Sequence, residues 1–440
     1  MSNHSLEVVG AADRAVGKTV RAVPGIAGPV RVSRMGTWIA PSAIERELYE
    51  AKLRNDWPAY FDALARAWLF VPMARAYVDA HPTSVLLEPA YFPQVRARCY
   101  VAYTAGMLPA PTADGVFTRQ SLAWFAANFG PGDPPYLAVN PGSPCEAFLP
   151  AGPGDRAVWN AHWDRAPTYG LEQNKVHGLH VGGPLRGPAA FGLACGAHLS
   201  VRNGLFWNAL GYHGEGYMKE REKLKEYWGI TTREEWLLGT ERLLTADMVS
   251  AVWEFTLRIR TALSKEFAGP VDIEHWRHAT EATLRANAER AAEPRITPEG
   301  VTVARPRSAA EVEGEVAGVQ RVIGRIARYE QRFRADGILG EGRFVRSVEA
   351  WDYGRASQMA RWGLGARLCT LQEAEDAVVR AGRACRLSYR SWEDLSAGFI
   401  LGRCLQFDEE EYGHWYTDMA ATHQALMSDP GSPWLNIPWN

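Results

Sequence analysis

Four times after residue 230 the chain writes the same helix-start signal. Thr232-Arg233-Glu234-Glu235, Ser308-Ala309-Ala310-Glu311, Thr370-Leu371-Gln372-Glu373 and Ser391-Trp392-Glu393-Asp394 each place a hydroxyl residue three positions before a carboxylate. At that spacing the hydroxyl accepts from a free N–H of the first turn, and the carboxylate reaches back to the cap's own N–H. Long Pro-poor stretches follow: 232–267 behind the first cap, with 216–228 and 271–292 as further periodic segments. These signals constrain the second half of a 440-residue chain to packed helices.

The first half reads differently. Residues 1–37 are rich in Ala, Gly, Val and Pro without a sustained period, and are expected to form a flexible arm. They hold Ala12-Asp13-Arg14-Ala15-Val16-Gly17-Lys18-Thr19, a relaxed phosphate-loop string. Its preceding run is short and Pro24 follows closely, so it reads as chance. Residues 38–152 mix helix and strand signals. Asp56 caps a helix with Pro58 in its first turn, and short β-like runs occur at 67–71, 99–103 and 136–139. Residues 153–188 read as a Pro/Gly-rich linker, and 189–203 as one helix ending at Gly204. The expected class is α+β: a small α+β N-terminal domain and a larger, mainly α-helical domain over 189–440.

Charge and cysteine usage narrow the function classes. A net charge of −2 excludes a broad basic footprint, so no nucleic-acid partner is expected. Arg supplies 41 of the 48 basic residues, a bias that a GC-rich genome explains. The bias is nevertheless local in one place. Arg321, Arg325, Arg328 and Arg332 recur on one helix face, a candidate surface for an acidic partner or a face paired with Glu315 and Glu330. No Lys or Arg follows Arg403, whereas Asp408, Glu409, Glu410, Glu411, Asp418 and Asp429 do, so the acidic end is either a partner for the Arg-bearing middle within the fold or a solvated face. The six cysteines lie far apart with no C-x-x-C pair, and no apolar h-region or 18-residue apolar run is present. A cytoplasmic location without membrane contact is the expectation. His177 and His180 have no third ligand nearby, so no metal is expected, and no cofactor motif is found.

Two family resemblances rest on particular strings. Leu69-Phe70-Val71-Pro72, Val116-Phe117-Thr118-Arg119 and Leu137-Ala138-Val139-Asn140-Pro141-Gly142-Ser143 resemble, in that order, the N-terminal domain of SseB-type proteins. Arg119 stands where that pattern usually has Ser. The resemblance implies a small α+β module and no chemistry. Val201-Arg202-Asn203-Gly204-Leu205-Phe206-Trp207-Asn208, Tyr227-Trp228-Gly229-Ile230-Thr231, Trp351-Asp352-Tyr353-Gly354-Arg355 and Ser432-Pro433-Trp434 resemble the uncharacterised bacterial family known as domain of unknown function 1266. That resemblance spans about residues 180–440 and brings no reaction.

Two clusters are candidates for chemistry. Asp352 and Arg355, at i and i+3 on one helix, form either a structural clamp or a site in which Arg355 binds an anionic group while Asp352 orients it or acts as a base. Arg202, Asn203, Trp207 and Asn208 form a candidate ligand site, with His213 as a group that titrates near neutrality. No nucleophile–base motif accompanies them. The tryptophans, 11 of 17 from Trp207 onward, read as core packing beside caps. The leading expectation is a protein-interaction or binding module with an unidentified protein partner. An enzyme using Asp352, Arg355 and His213 is the alternative, and a toxin-related or secretion-associated role the third. Oligomeric state is not legible.

Overall fold

A computed structural model describes residues 38–110, 112–210, 214–291, 295–297, 300–302 and 307–440. The phosphate-loop-like string at 12–19 and His213 lie outside the described residues.

The N-terminal region mixes strands and helices. Its order is α1 (Ala43–Leu53), α2 (Trp57–Arg66), β1 (Leu69–Ala74), α3 (Arg75–Ala80), β2 (Ala90–Phe92), β3 (Ala97–Ala102), β4 (Gly115–Gln120), α4 (Leu122–Asn128), β5 (Tyr136–Val139), β6 (Ala147–Pro150) and α5 (Pro153–Arg165). β1 and β4 pair antiparallel, with Leu69 opposite Gln120. β2-β3-β5-β6 form the larger sheet, parallel only between β3 and β5. Phe70 and Tyr103 exchange backbone hydrogen bonds of 2.7 and 3.0 Å, which ties the two sheets together. Asp56 caps α2 through the Ala59 N–H, as its sequence position implies. The stretch expected as a linker contains α5. Its start at Pro153 suits the first turn of a helix, and Trp159 anchors it in the core.

The stretch 189–203 is two helices, α6 (Gly187–Cys195) and α7 (Ala197–Arg202), broken at Gly196. A Cβ on Gly196 would press on Ser357, so the break lets α6 and α7 lie closely on a later helix. The mainly helical region then runs α8 (Tyr217–Trp228), α9 (Arg233–Leu244), α10 (Ala251–Glu266) and α11 (Ile273–Ala291). A small hairpin, β7 (Arg295–Thr297) and β8 (Gly300–Thr302), precedes α12 (Ala309–Ala335), α13 (Ala350–Gly365), α14 (Leu371–Ser388), α15 (Trp392–Phe407), α16 (His414–Ser428) and α17 (Pro433–Asn436). The expected continuous stretch to 267 is thus interrupted at 245–250 between α9 and α10. All four cap hydroxyls accept from the N–H three residues on. No helix among the described residues is long and apolar enough to cross a membrane.

α13 is the axis of the helical region. It is buried on every side, with α6, α7, α8, α9, α14 and α15 packed around it. Small residues make this possible: a Cβ on Gly354 would collide with the Phe399 ring, and one on Gly363 with the Trp236 indole. Three buried indoles of this region donate to backbone carbonyls, Trp236 to Met359 at 2.9 Å, Trp392 to Ile437 at 2.9 Å and Trp434 to Ala194 at 3.1 Å.

Candidate functional site

A helix buried all round should be apolar, yet α13 carries Asp352, Arg355, Gln358 and Arg361, at three-residue steps that wind half-way round the helix. Asp352, Arg355 and Arg361 are answered from within the chain, and Gln358 only in part, through Nε2 donating to Ser200 Oγ at 3.2 Å. Asp352 accepts from the Met248 and Val249 N–H groups at 2.9 Å each and pairs with Arg355. Arg355 also donates to the Trp351 carbonyl at 3.2 Å and lies over the Trp351 ring. Arg361 donates to Ser200 Oγ at 3.0 Å and to the Phe206 and Trp207 carbonyls at 2.6 and 3.2 Å. Burial pushes Asp352 above the ordinary carboxylate range despite Arg355, and brings Arg361 down to about 10. The stripe therefore clamps α13 to the turn before α10 and to the segment 200–207.

Next to Arg361 lies a cavity of about 10 Å³, room for roughly one water. Glu220 Oε2 and Gln358 Oε1 are both buried without a partner, and both residues line it. Burial raises the Glu220 carboxyl.

The large concavity is elsewhere. A cleft of about 620 Å³ lies between the N-terminal sheets and the segment leading from α7 to α8. Its size is that of a small-molecule site. Trp68, Phe70 and Arg119 of the β1–β4 side face Leu171, Leu205 and Phe206 across it. Gly216 closes the junction: its φ of +94° and a bridge to Thr118 bring the start of α8 onto β4, where a Cβ would press on the Arg119 N–H.

Two charged groups in this cleft are in contrasting states. Glu45 is 1% exposed and saturated, accepting from Thr104 Oγ1 at 2.5 Å, the Gly106 N–H at 3.0 Å and the Ser42 hydroxyl. Arg119 lies with its guanidinium 4.3 Å over the Trp68 ring. Its nearest carboxylate, Glu215, is 3.8 Å away and is held more tightly by Lys223 at 3.0 Å. Burial lowers the Arg119 pKa, and no hydrogen bond joins its side chain to any described residue. Trp68 is itself fixed, because Gly170 packs against its indole where any Cβ would collide.

Over residues 223–439 the sequence matches the family described as "Protein of unknown function (DUF1266)". This part of the chain is a DUF1266 domain. No curated protein matches the chain, and no solved structure does. The comparisons give no support for an SseB-type N-terminal domain.

The DUF1266 match begins inside α8, whereas the resemblance read from the sequence began near residue 180. It contains α13 but not Ser200, Phe206 or Trp207, the groups that hold Arg361. The cleft lies outside the DUF1266 domain altogether, since its lining ends at Glu215.

The candidate residues do not gather in one place. Asp352 and Arg355 are in the spine, away from both concavities. Asn203 lines the cleft. Arg202 pairs with Asp418 on α16 at 3.0 Å. Asn208 is buried and bonds both the Leu179 N–H and its carbonyl, at 2.7 and 2.8 Å. Trp207 is buried, its carbonyl on Arg361. Of the arginine face on α12, Arg325 and Arg328 both pair with Glu410 and Arg332 pairs with Asp336, while Arg321 makes no ion pair with a described residue. The arginine and acidic regions therefore meet within the fold. Glu330 and Glu315 serve other arginines, Arg260 and Arg307. No cluster of three metal-ligating side chains occurs among the described residues.

Sequence reasoning passed over Arg119, Gln358 and Arg361. For the last two a signal existed: polar residues at 352, 355, 358 and 361 in an otherwise small and apolar helix. For Arg119 the signal was its departure from the Ser of the SseB-type pattern.

Proposed function

We propose that this chain is a ligand-binding module, and that its ligand is a small organic anion with a flat apolar body. The seat is the cleft between the N-terminal sheets and the α7–α8 segment. One observation carries this reading: Arg119 sits in a 620 Å³ cleft, stacked on Trp68, without a hydrogen bond to the rest of the described chain. A guanidinium in that state offers a planar fork of donors to a carboxylate or phosphate oxygen. Trp68, Phe70 and Phe206 supply apolar surface for the body, and Asn203 a further polar group. Glu45 does not serve as a base here, because its oxygens already take three donors.

Binding is favoured over catalysis because Asp352, Arg355 and Arg361 of α13 are consumed in holding the fold. It is favoured over docking through the α12 arginines because three of those four are paired within the chain. The SseB-type reading of residues 38–152 belongs to this proposal as a module without chemistry. So does an intracellular location, supported by six free, buried cysteines.

The test is thermal unfolding and calorimetry of the full chain against a panel of aromatic carboxylates and phosphates. At least one should stabilise the protein saturably, and Arg119→Ala should weaken it tenfold or more. Undiminished affinity in Arg119→Ala, or no binding across the panel, would refute the reading.

A further inference from the structure

Helices α7, α13, α15 and α16 meet at a second group of arginines, away from the cleft. Arg403 on α15 is 6% exposed. Its guanidinium lies between two indoles, 5.4 Å from the Trp351 ring centre and 4.8 Å from that of Trp415. It forms no ion pair with a described residue, and its Nε is buried without an acceptor. Nε is the one Arg403 nitrogen that is both sealed and unpartnered, so the Nη edge is the part that solvent reaches.

The surroundings make this state costly. Arg202, on α7, spends Nε and Nη2 on Asp418 at 3.1 and 3.0 Å and Nη1 on Asn203 at 3.2 Å. Arg355 is paired with Asp352. Three guanidinium groups thus share two carboxylates, which leaves one positive charge uncompensated. Burial, with repulsion from Arg202 and Arg355, brings Arg403 down to about 10. Stacking on two indoles offsets part of the cost. An unpaired buried charge costs more than that.

We propose that Arg403, flanked by Arg202 and Trp415, is a binding site for an oxyanion, either a carboxylate or a phosphate group. The anion would take the Nη edge of Arg403 bidentately and bring the cluster to neutrality. Arg202 would add long-range attraction, and Trp415 one wall.

The test uses the full chain carrying Arg119→Ala, so that the cleft cannot contribute and the two readings fail independently. Inorganic phosphate and acetate are titrated separately by calorimetry, each against chloride at matched ionic strength. At least one should bind saturably. The tighter of the two identifies the group. Arg403→Lys, which keeps charge and stem but loses the fork, and Arg202→Gln should each weaken it tenfold or more. Arg403→Gln should abolish it if that variant folds; the other two decide the matter if it does not. Absence of saturable binding by either anion, or parental affinity in both Arg403→Lys and Arg202→Gln, overturns the proposal.

Discussion

The α13 spine and the inter-region cleft both bury charge, and they treat it in opposite ways. In the spine, Asp352 has Arg355 and two backbone N–H groups, and Arg361 has a hydroxyl and two carbonyls. In the cleft, Arg119 has an aromatic ring and a carboxylate 3.8 Å away that prefers Lys223. Polar groups fully answered by their own chain hold a fold together. One left unanswered beside open volume is available to something else. Residue type alone would not separate these roles, since both regions present arginine beside tryptophan.

The largest effect is expected where the spine is cut. Asp352→Ala leaves Arg355 buried without its partner and removes the acceptor for two N–H groups. The expected loss is about 3–5 kcal/mol by denaturant unfolding. Replacing both Asp352 and Arg355 with apolar residues of similar size should recover much of it. A loss below about 1 kcal/mol would mean that the spine is not structural.

Much of this architecture was legible from residues 230 onward, because capping is local chemistry: Thr232, Ser308, Thr370 and Ser391 act on N–H groups three residues away. Strand β5 was legible for the same reason, as a short apolar run between breakers. The cleft was not. Its walls come from residues 42–70, 104–119, 168–173 and 203–215, and only the folded chain brings Trp68 under Arg119. The pairing of Arg325 and Arg328 with Glu410 was half legible: opposite charges stood in two regions, but the partner was set by how α12 packs on the turn after α15.

The second largest effect concerns pH. His423 and Ser396 form a buried hydrogen bond of 2.7 Å, and His198 meets the same hydroxyl at 2.9 Å. Burial lowers His423 from 6.5 to about 4, so its contribution to stability is full above pH 6.5 and is lost as pH falls toward 4. Glu254 accepts from the Val348 N–H at 2.6 Å, and burial raises its carboxyl from 4.5 to about 7. Its contribution is full below pH 4.5 and is lost as pH rises toward 7. The two oppose each other between these limits. Glu254→Gln should gain on the wild type by on the order of 3 kcal/mol as pH rises from 4.5 to 7. It should also show a steeper acid loss, because the histidines then act alone. Parallel stability–pH curves for the two proteins would contradict this assignment.

Packing around the spine gives a smaller effect. Gly363→Ala drives a methyl into the Trp236 indole, and a loss of about 1–3 kcal/mol is expected in melting experiments. At the surface the effect should nearly vanish. Arg328→Ala breaks an exposed pair with Glu410, which Arg325 also holds, and should cost less than about 1 kcal/mol. A larger loss would place the α12 arginines with the spine.

The most direct test sets one arginine against one aspartate in the same two assays. Arg119→Ala should unfold within about 1 kcal/mol of the wild type and lose the stabilisation by an anionic ligand. Asp352→Ala should show the reverse: a large loss of stability, with ligand stabilisation retained in whatever fraction stays folded. An Asp352→Ala protein that folded like the wild type but no longer responded to ligand, beside an Arg119→Ala protein that still did, would contradict these roles.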